Sequence, residues 1–184
     1  PHEPFAGGDC RACHASSGDY ALAGPVDDLC SACHWEAKSF GESTFRHVLG
    51  EGDSCVHCHE PHAADGASLL RGSEADVCLR CHFNEPERAP KESNLTHDGM
   101  DCTGCHLPHG AENASYLVDV GVGLCLSCHE SAHRASHPVG AEIIDPRTKE
   151  SVTCLSCHQL HGAPFEKYLP LDPSMDLCIQ CHRR

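Results

Sequence analysis

The sequence predicts a chain that is mostly coil, with short α-helices and little or no β-sheet. Three observations carry that expectation. All 16 cysteines fall into eight copies of one word, Cys-x-x-Cys-His, spread over 184 residues. The first cysteines stand at 10, 30, 55, 78, 102, 125, 154 and 178, so a word recurs about every 24 residues and leaves no room for long elements between. Aromatic residues are only 5% of the chain, against 16 Gly and 12 Pro, so the polypeptide has too few large apolar side chains to order its own backbone.

The words are Cys10-Arg-Ala-Cys13-His14, Cys30-Ser-Ala-Cys33-His34, Cys55-Val-His-Cys58-His59 and Cys78-Leu-Arg-Cys81-His82. They continue as Cys102-Thr-Gly-Cys105-His106, Cys125-Leu-Ser-Cys128-His129, Cys154-Leu-Ser-Cys157-His158 and Cys178-Ile-Gln-Cys181-His182. Each is the attachment signature of c-type haem: two cysteines form thioethers and the adjoining histidine reaches the iron from the proximal side. A redox dithiol or half of a zinc site needs no histidine after the second cysteine, and a disulfide framework tolerates irregular spacing. The sequence therefore predicts eight covalently attached c-type haems, a short helix at each word, and porphyrin faces serving as the hydrophobic core. The apoprotein is expected to be unfolded.

The formal net charge is −14, and eight oxidised haems with ionised propionates take it to about −22. That argues against nucleic acid or an anionic membrane surface as a partner. It suits basic redox proteins or extracellular metal and mineral acceptors, and equally an acidic surface kept for solubility. No segment is long and apolar enough to insert into a membrane. No signal peptide stands at Pro1 and no cysteine precedes the first word, so a mature chain with its leader removed and no lipid anchor is expected. Haem is attached to this word after secretion, which places the protein outside the cell or on its surface, with the periplasm as alternative.

A longer period pairs the words. The first word of each pair follows a histidine: His2 and His47 eight residues upstream, His97 five, His137 seventeen. Three first words carry a second histidine at fixed distance: His59-Glu-Pro-His62, His106-Leu-Pro-His109 and His158-Gln-Leu-His161. Second words follow an apolar residue (Leu29, Val77, Leu124 or Leu177). Eight to ten residues before them stand Tyr20/Leu22, Leu69/Leu70, Tyr116/Leu117 and Tyr168/Leu169, expected to cap haem faces. The His-x-Pro-Phe run at His2, His-Pro-Val-Gly at His137 and the Cys-His-x-Pro-His runs resemble the doubled Cys-x-x-Cys-His family of multihaem cytochromes, over essentially the whole chain. The resemblance implies one octahaem domain over 1–184, built of four tandem two-haem repeats near 1–42, 43–94, 95–131 and 132–184. Asn84–Asn94 and Val139–Lys149 read as looser connectors.

Seventeen histidines less the eight of the words leave His2, His47, His57, His62, His97, His109, His133, His137 and His161. Eight irons need eight distal ligands, so bis-histidine ligation is expected with one histidine to spare. Repeat logic assigns His2, His47, His97 and His137 to haems 1, 3, 5 and 7, and His62, His109 and His161 to haems 4, 6 and 8. Haem 2 breaks the pattern, because Ala-Ser-Ser-Gly-Asp follows His14. Its ligand is then His57 or His133, from this chain or a neighbouring subunit, with Met100 or Met175 as a higher-potential alternative and an open iron as the third. Trp35, after His34, shields haem 2 or simply packs, and no calcium-loop spacing is present.

These readings predict an electron carrier and not an enzyme, since two histidines on an iron block substrate access and hold its potential low. The expected form is the protomer of an extracellular haem-chain filament in anaerobic respiration, a homo-oligomer of identical subunits. A soluble periplasmic shuttle or a redox subunit of a reductase complex is the alternative. An oxidoreductase of nitrite, hydroxylamine or sulfite type, with an open haem 2, is the minor one.

Overall fold

The computed structural model of the protein describes residues 1–16, 20–36, 42–47, 54–82, 97, 101–129 and 139–182. Among these, no α-helix exceeds six residues, and the sheets are two pairs of short strands. The coil-rich class expected from the word spacing holds. The chain divides into two compact bodies, 1–80 with 107–116, and 81–106 with 117–184.

In the first body, α1 (Glu3–Ala6) begins with Pro4 in its first turn, where a fixed φ and a missing N–H cost nothing. Helix α2 (Val26–Ser31) follows Pro25 and opens with Asp27 and Asp28, which suit the positive end of the helix dipole. Helix α3 spans Ser54–Cys58. Helix α4 (Glu74–Leu79) is capped by Ser73, whose Oγ accepts from the Asp76 amide at 3.1 Å. Strand β1 (Phe45–Arg46) pairs antiparallel with β2 (Gly110–Ala111), Phe45 opposite Ala111. Thr44 donates to the Glu112 carboxylate beside this pair, and Tyr116 Oη donates to the Arg46 carbonyl at 2.8 Å.

The second body holds α5 (Gly121–Leu126) and a hairpin of β3 (Gly140–Ile144) with β4 (Ser151–Val152). The hairpin corrects the reading of Val139–Lys149 as a loose connector. Ile143 and Ile144 favour extended backbone, and the charged residues after them are spent on each other. Arg147 Nε donates to Asp145 Oδ1 at 2.9 Å, and its Nη2 donates to Asp145 Oδ2 and, at 2.7 Å, to the Ser156 carbonyl. Asp145 is only 1% exposed. Ser156 lies between the cysteines of the seventh word, so the hairpin turn is laced to an attachment site. The other expected connector, Asn84–Asn94, lies outside the described residues.

Words 2, 4 and 6 occupy the C-terminal ends of α2, α4 and α5, and word 3 lies on α3. Words 1, 5, 7 and 8 lie on 3-10 turns at Cys10–Ala12, Cys102–Gly104, Cys154–Ser156 and Cys178–Gln180. Side chains alone build almost no core. Val77 and Ala111 are the buried apolar residues among those described, and Phe5, Trp35, Leu155 and Ile179 are each about half exposed or more. The polypeptide exposes 13249 Å², where a folded protein of 19.8 kDa exposes about 8,600 Å².

Candidate haem sites

In seven of the words the histidine amide donates to the carbonyl of the first cysteine, at 2.9 to 3.0 Å. That single helical turn puts both cysteines and the histidine on one face, since residues three and four apart are neighbours there. None of the 16 cysteines is in a disulfide, and every one is exposed or half-buried, open to a thioether bond. In two places the first cysteines of successive words face each other. Burial, then a bond to Asp27, pushes the Cys55 thiol up to about 12, with Cys30 alongside. Burial, then Cys154, pushes Cys125 up to about 11.

The histidines of first words share a second feature. His14 Nδ1 meets the Tyr20 carbonyl at 2.7 Å, His59 Nδ1 that of Ser68 at 2.8 Å, and His158 Nδ1 that of Lys167 at 2.7 Å. A carbonyl only accepts, so Nδ1 carries the proton and Nε2 presents a lone pair, the tautomer an iron ligand needs. The carbonyls are aimed by left-handed backbone: φ is 56° at Tyr20, 53° at Ser68 and 58° at Lys167, and Ser115 matches at 56°. This conformation costs roughly 1–2 kcal/mol at a non-glycine residue. Cross-loop bonds hold it, among them Glu60 N to Leu69 O at 2.7 Å and Gln159 N to Tyr168 O at 2.8 Å. The sequence showed these loops only through the recurring Leu22, Leu70, Leu117 and Leu169. Three of those leucines bridge back to the word histidine, as in His59 with Leu70. Their spacing alone does not reveal this backbone role.

Each of five word histidines faces a histidine from outside the words. Ring centres are 6.1 Å apart for His14 and His62, 5.9 Å for His34 and His2, and 5.9 Å for His59 and His109. They are 5.9 Å apart for His106 and His161 and 5.6 Å for His129 and His97. An imidazole nitrogen lies about 2 Å from a first-row metal, so two rings on opposite sides of one iron have centres roughly 6 Å apart. All five spacings fit.

The ring pairs differ from the expected mapping. His2 faces the second word of its repeat and not the first. His97 likewise faces word 6. His62, His109 and His161 face the first word of the preceding repeat and not the second word of their own. The cause is the direction of the chain after a first word. The loop closes on itself through Glu60 N and Leu69 O, leaving Pro61 and His62 on its outer edge. There the N-terminal segment lies against them: His2 N donates to His62 O at 2.8 Å, and His2 Nδ1 donates to Pro61 O at 3.0 Å.

His97 Nδ1 is buried with no hydrogen-bond partner, and its ring stacks on Tyr168 at 5.3 Å. Burial, then His59 and His47, lowers the His109 pKa and keeps the ring in the neutral form that binds metal. His47 lies edge-on to Tyr116 at 5.5 Å. His57 is exposed between Cys55 and Cys58, and Trp35 and Met175 are 69% and 50% exposed. His133, His137 and Met100 lie outside the described residues. Facing histidines, paired cysteines on one-turn words and uncovered apolar side chains together fit a haem at each word.

The model of the family defined by the doubled CXXCH motif matches residues 2–39, 47–87, 96–134 and 146–184. The chain belongs to that family. It is a multihaem c-type cytochrome, and its work is electron transfer. Cytochromes of this type are exported from the cytoplasm, and no helix among the described residues is long and apolar enough to cross a membrane. No curated protein matches the chain.

Proposed function

We propose that the protein is an octahaem electron conduit in which every iron is held by two histidines. The observation that carries this is the set of five facing histidine pairs, each joining one word histidine to one from outside the words. His2, His62, His97, His109 and His161 are the distal ligands of haems 2, 1, 6, 3 and 5. The remaining three irons draw on His47, His137 and one of His57 or His133. When bound, haem iron supplies reversible one-electron chemistry. The chain's residues would fix its position through two cysteines, hold His14, His59 and His158 in one tautomer through a carbonyl, and set histidines where a substrate would otherwise reach the iron. Two imidazoles hold the potential low compared with a methionine and a histidine. Low-temperature EPR of the oxidised protein tests this: all eight irons are low-spin. A high-spin component near one eighth would return a catalytic role to the protein.

The proposed setting is outside the cell, as the protomer of a haem-chain filament that passes electrons to metal or mineral acceptors in anaerobic respiration. Two features support it. First-word sites are completed by the following repeat, a pattern that a neighbouring copy can continue, and the charge of −14 repels anionic surfaces but not metal ions. Negative-stain images of the purified protein decide between filament and soluble shuttle. Isolated particles alone at every salt concentration would remove the filament.

A further inference from the structure

The two places where first cysteines of successive words meet are built alike but differ by one charge. In the first body α2 packs on α3 and brings Cys30 to Cys55; in the second, α5 packs on the Cys154–Ser156 turn and brings Cys125 to Cys154. Asp27 stands three residues before Cys30, on the same face of α2, and its Oδ1 lies 3.3 Å from Cys55 Sγ. Asp27 is half-buried and acts on both Cys55 and Cys30, whose sulfurs become thioethers. At the matching place before Cys125 the chain has Val122, before Cys78 it has Ala75, and before Cys178 Met175. Only the first of these four positions carries a charge.

We propose that Asp27 sets the potentials of the haems attached at Cys30 and Cys55, holding both below those attached at Cys125 and Cys154. A fixed negative charge beside a porphyrin edge stabilises the oxidised iron, which carries one positive charge more than the reduced iron. The half-buried position limits screening by salt, so the effect survives at physiological ionic strength. Thioether formation removes the thiol proton that Asp27 now accepts. The helix keeps the carboxylate in place all the same, because residues three apart stay neighbours on one face. The proposal rests on haem attachment at these words.

The test is a spectroelectrochemical titration of Asp27→Asn, Asp27→Glu and Val122→Asp holoproteins, with intact mass giving the haem count of each. In Asp27→Asn two of eight midpoints move positive and six stay, Asp27→Glu restores them, and in Val122→Asp two other midpoints move negative. A fully loaded Asp27→Asn protein with unshifted midpoints overturns the proposal, as does an equal shift of all eight. Should Asp27→Asn fail to mature, Val122→Asp carries the test, and unshifted midpoints there overturn it. A mass showing no haem at words 2 and 3 of the unmutated protein reports instead that the attachment reading has failed.

Discussion

First-word and second-word sites hold the same kind of histidine by different means. At first words His14, His59 and His158 are each fixed by a carbonyl on a left-handed loop. In the three described first-word pairs, the facing histidine comes from the following repeat. At second words the first cysteines of three repeats lie at the end of a short α-helix, and in the two described second-word pairs the facing histidine precedes the first word of the same repeat, as His2 does for His34 and His97 for His129. First-word sites thus join one repeat to the next, while second-word sites close a repeat on itself. Equal ligand chemistry at the two kinds of site has unequal structural consequences.

The largest effect should come from removing haem altogether, which abolishes both kinds of site. With Val77 and Ala111 as the buried apolar residues among those described, the side chains bury too little to offset the ordering of the backbone. A chain produced without haem attachment should show a far-ultraviolet circular dichroism spectrum of disordered coil and no cooperative melt. A folded apoprotein would show that the loops carry more stability than their burial implies.

Next in size is the removal of single histidines proposed as distal ligands, which tests the comparison directly. His62→Ala and His2→Ala should each convert one iron in eight to high spin. The first should lower the thermal midpoint more, because it also cuts the tie between repeats. Removing haem 1 with Cys10→Ala and Cys13→Ala should abolish the high-spin signal of His62→Ala. If His62 instead served the second word of its own repeat, the signal would persist in that triple variant.

The brace at Asp145 makes a smaller contribution with a defined pH dependence. The Arg147 guanidinium holds the Asp145 carboxyl well below the usual carboxylate range. Its folded-state pKa is depressed, so the stability it gives is fully present above the unfolded value of about 3.9 and is lost as pH falls through the folded one. Asp145→Asn should therefore melt earlier than the unmutated protein at pH 7. The gap should stay constant down to about pH 5 and narrow below about pH 4. A gap that does not depend on pH would assign the effect to packing and not to charge.

How far the sequence disclosed these sites depends on what kind of information each needs. The words are local, so one turn of chain specifies Cys10, Cys13 and His14 together, and coil-rich structure follows from their density. The nine histidines outside the words were visible by counting. Which word each one faces was not, because that depends on the direction in which a loop leaves its word. The direction is set by left-handed backbone at Tyr20, Ser68 and Lys167, residue types that carry no such preference. Likewise the charges in Val139–Lys149 read as solvated linker, since pairing of Asp145 with Arg147 and Ser156 depends on a hairpin with no composition signal beyond Ile143 and Ile144.

That same backbone gives the smallest and most discriminating test. Replacing Ser68 by glycine removes a left-handed strain of roughly 1–2 kcal/mol in the folded state. Against this, glycine adds unfolded-chain entropy worth about 0.4–1 kcal/mol. The difference leaves Ser68→Gly more stable by up to about 1.6 kcal/mol, read as a rise in thermal midpoint. Its carbonyl still accepts from His59 Nδ1, so the haem spectrum and potentials should not move. Ser68→Pro inverts the logic: its φ is locked near −65°, the carbonyl turns away, and the His59 tautomer loses its partner. That variant should alter the spectrum of one haem in eight while the second-word sites stay as they were. Were Ser68→Pro silent, the carbonyl would be a by-product of the loop, and first and second words would differ only in where their distal histidines come from.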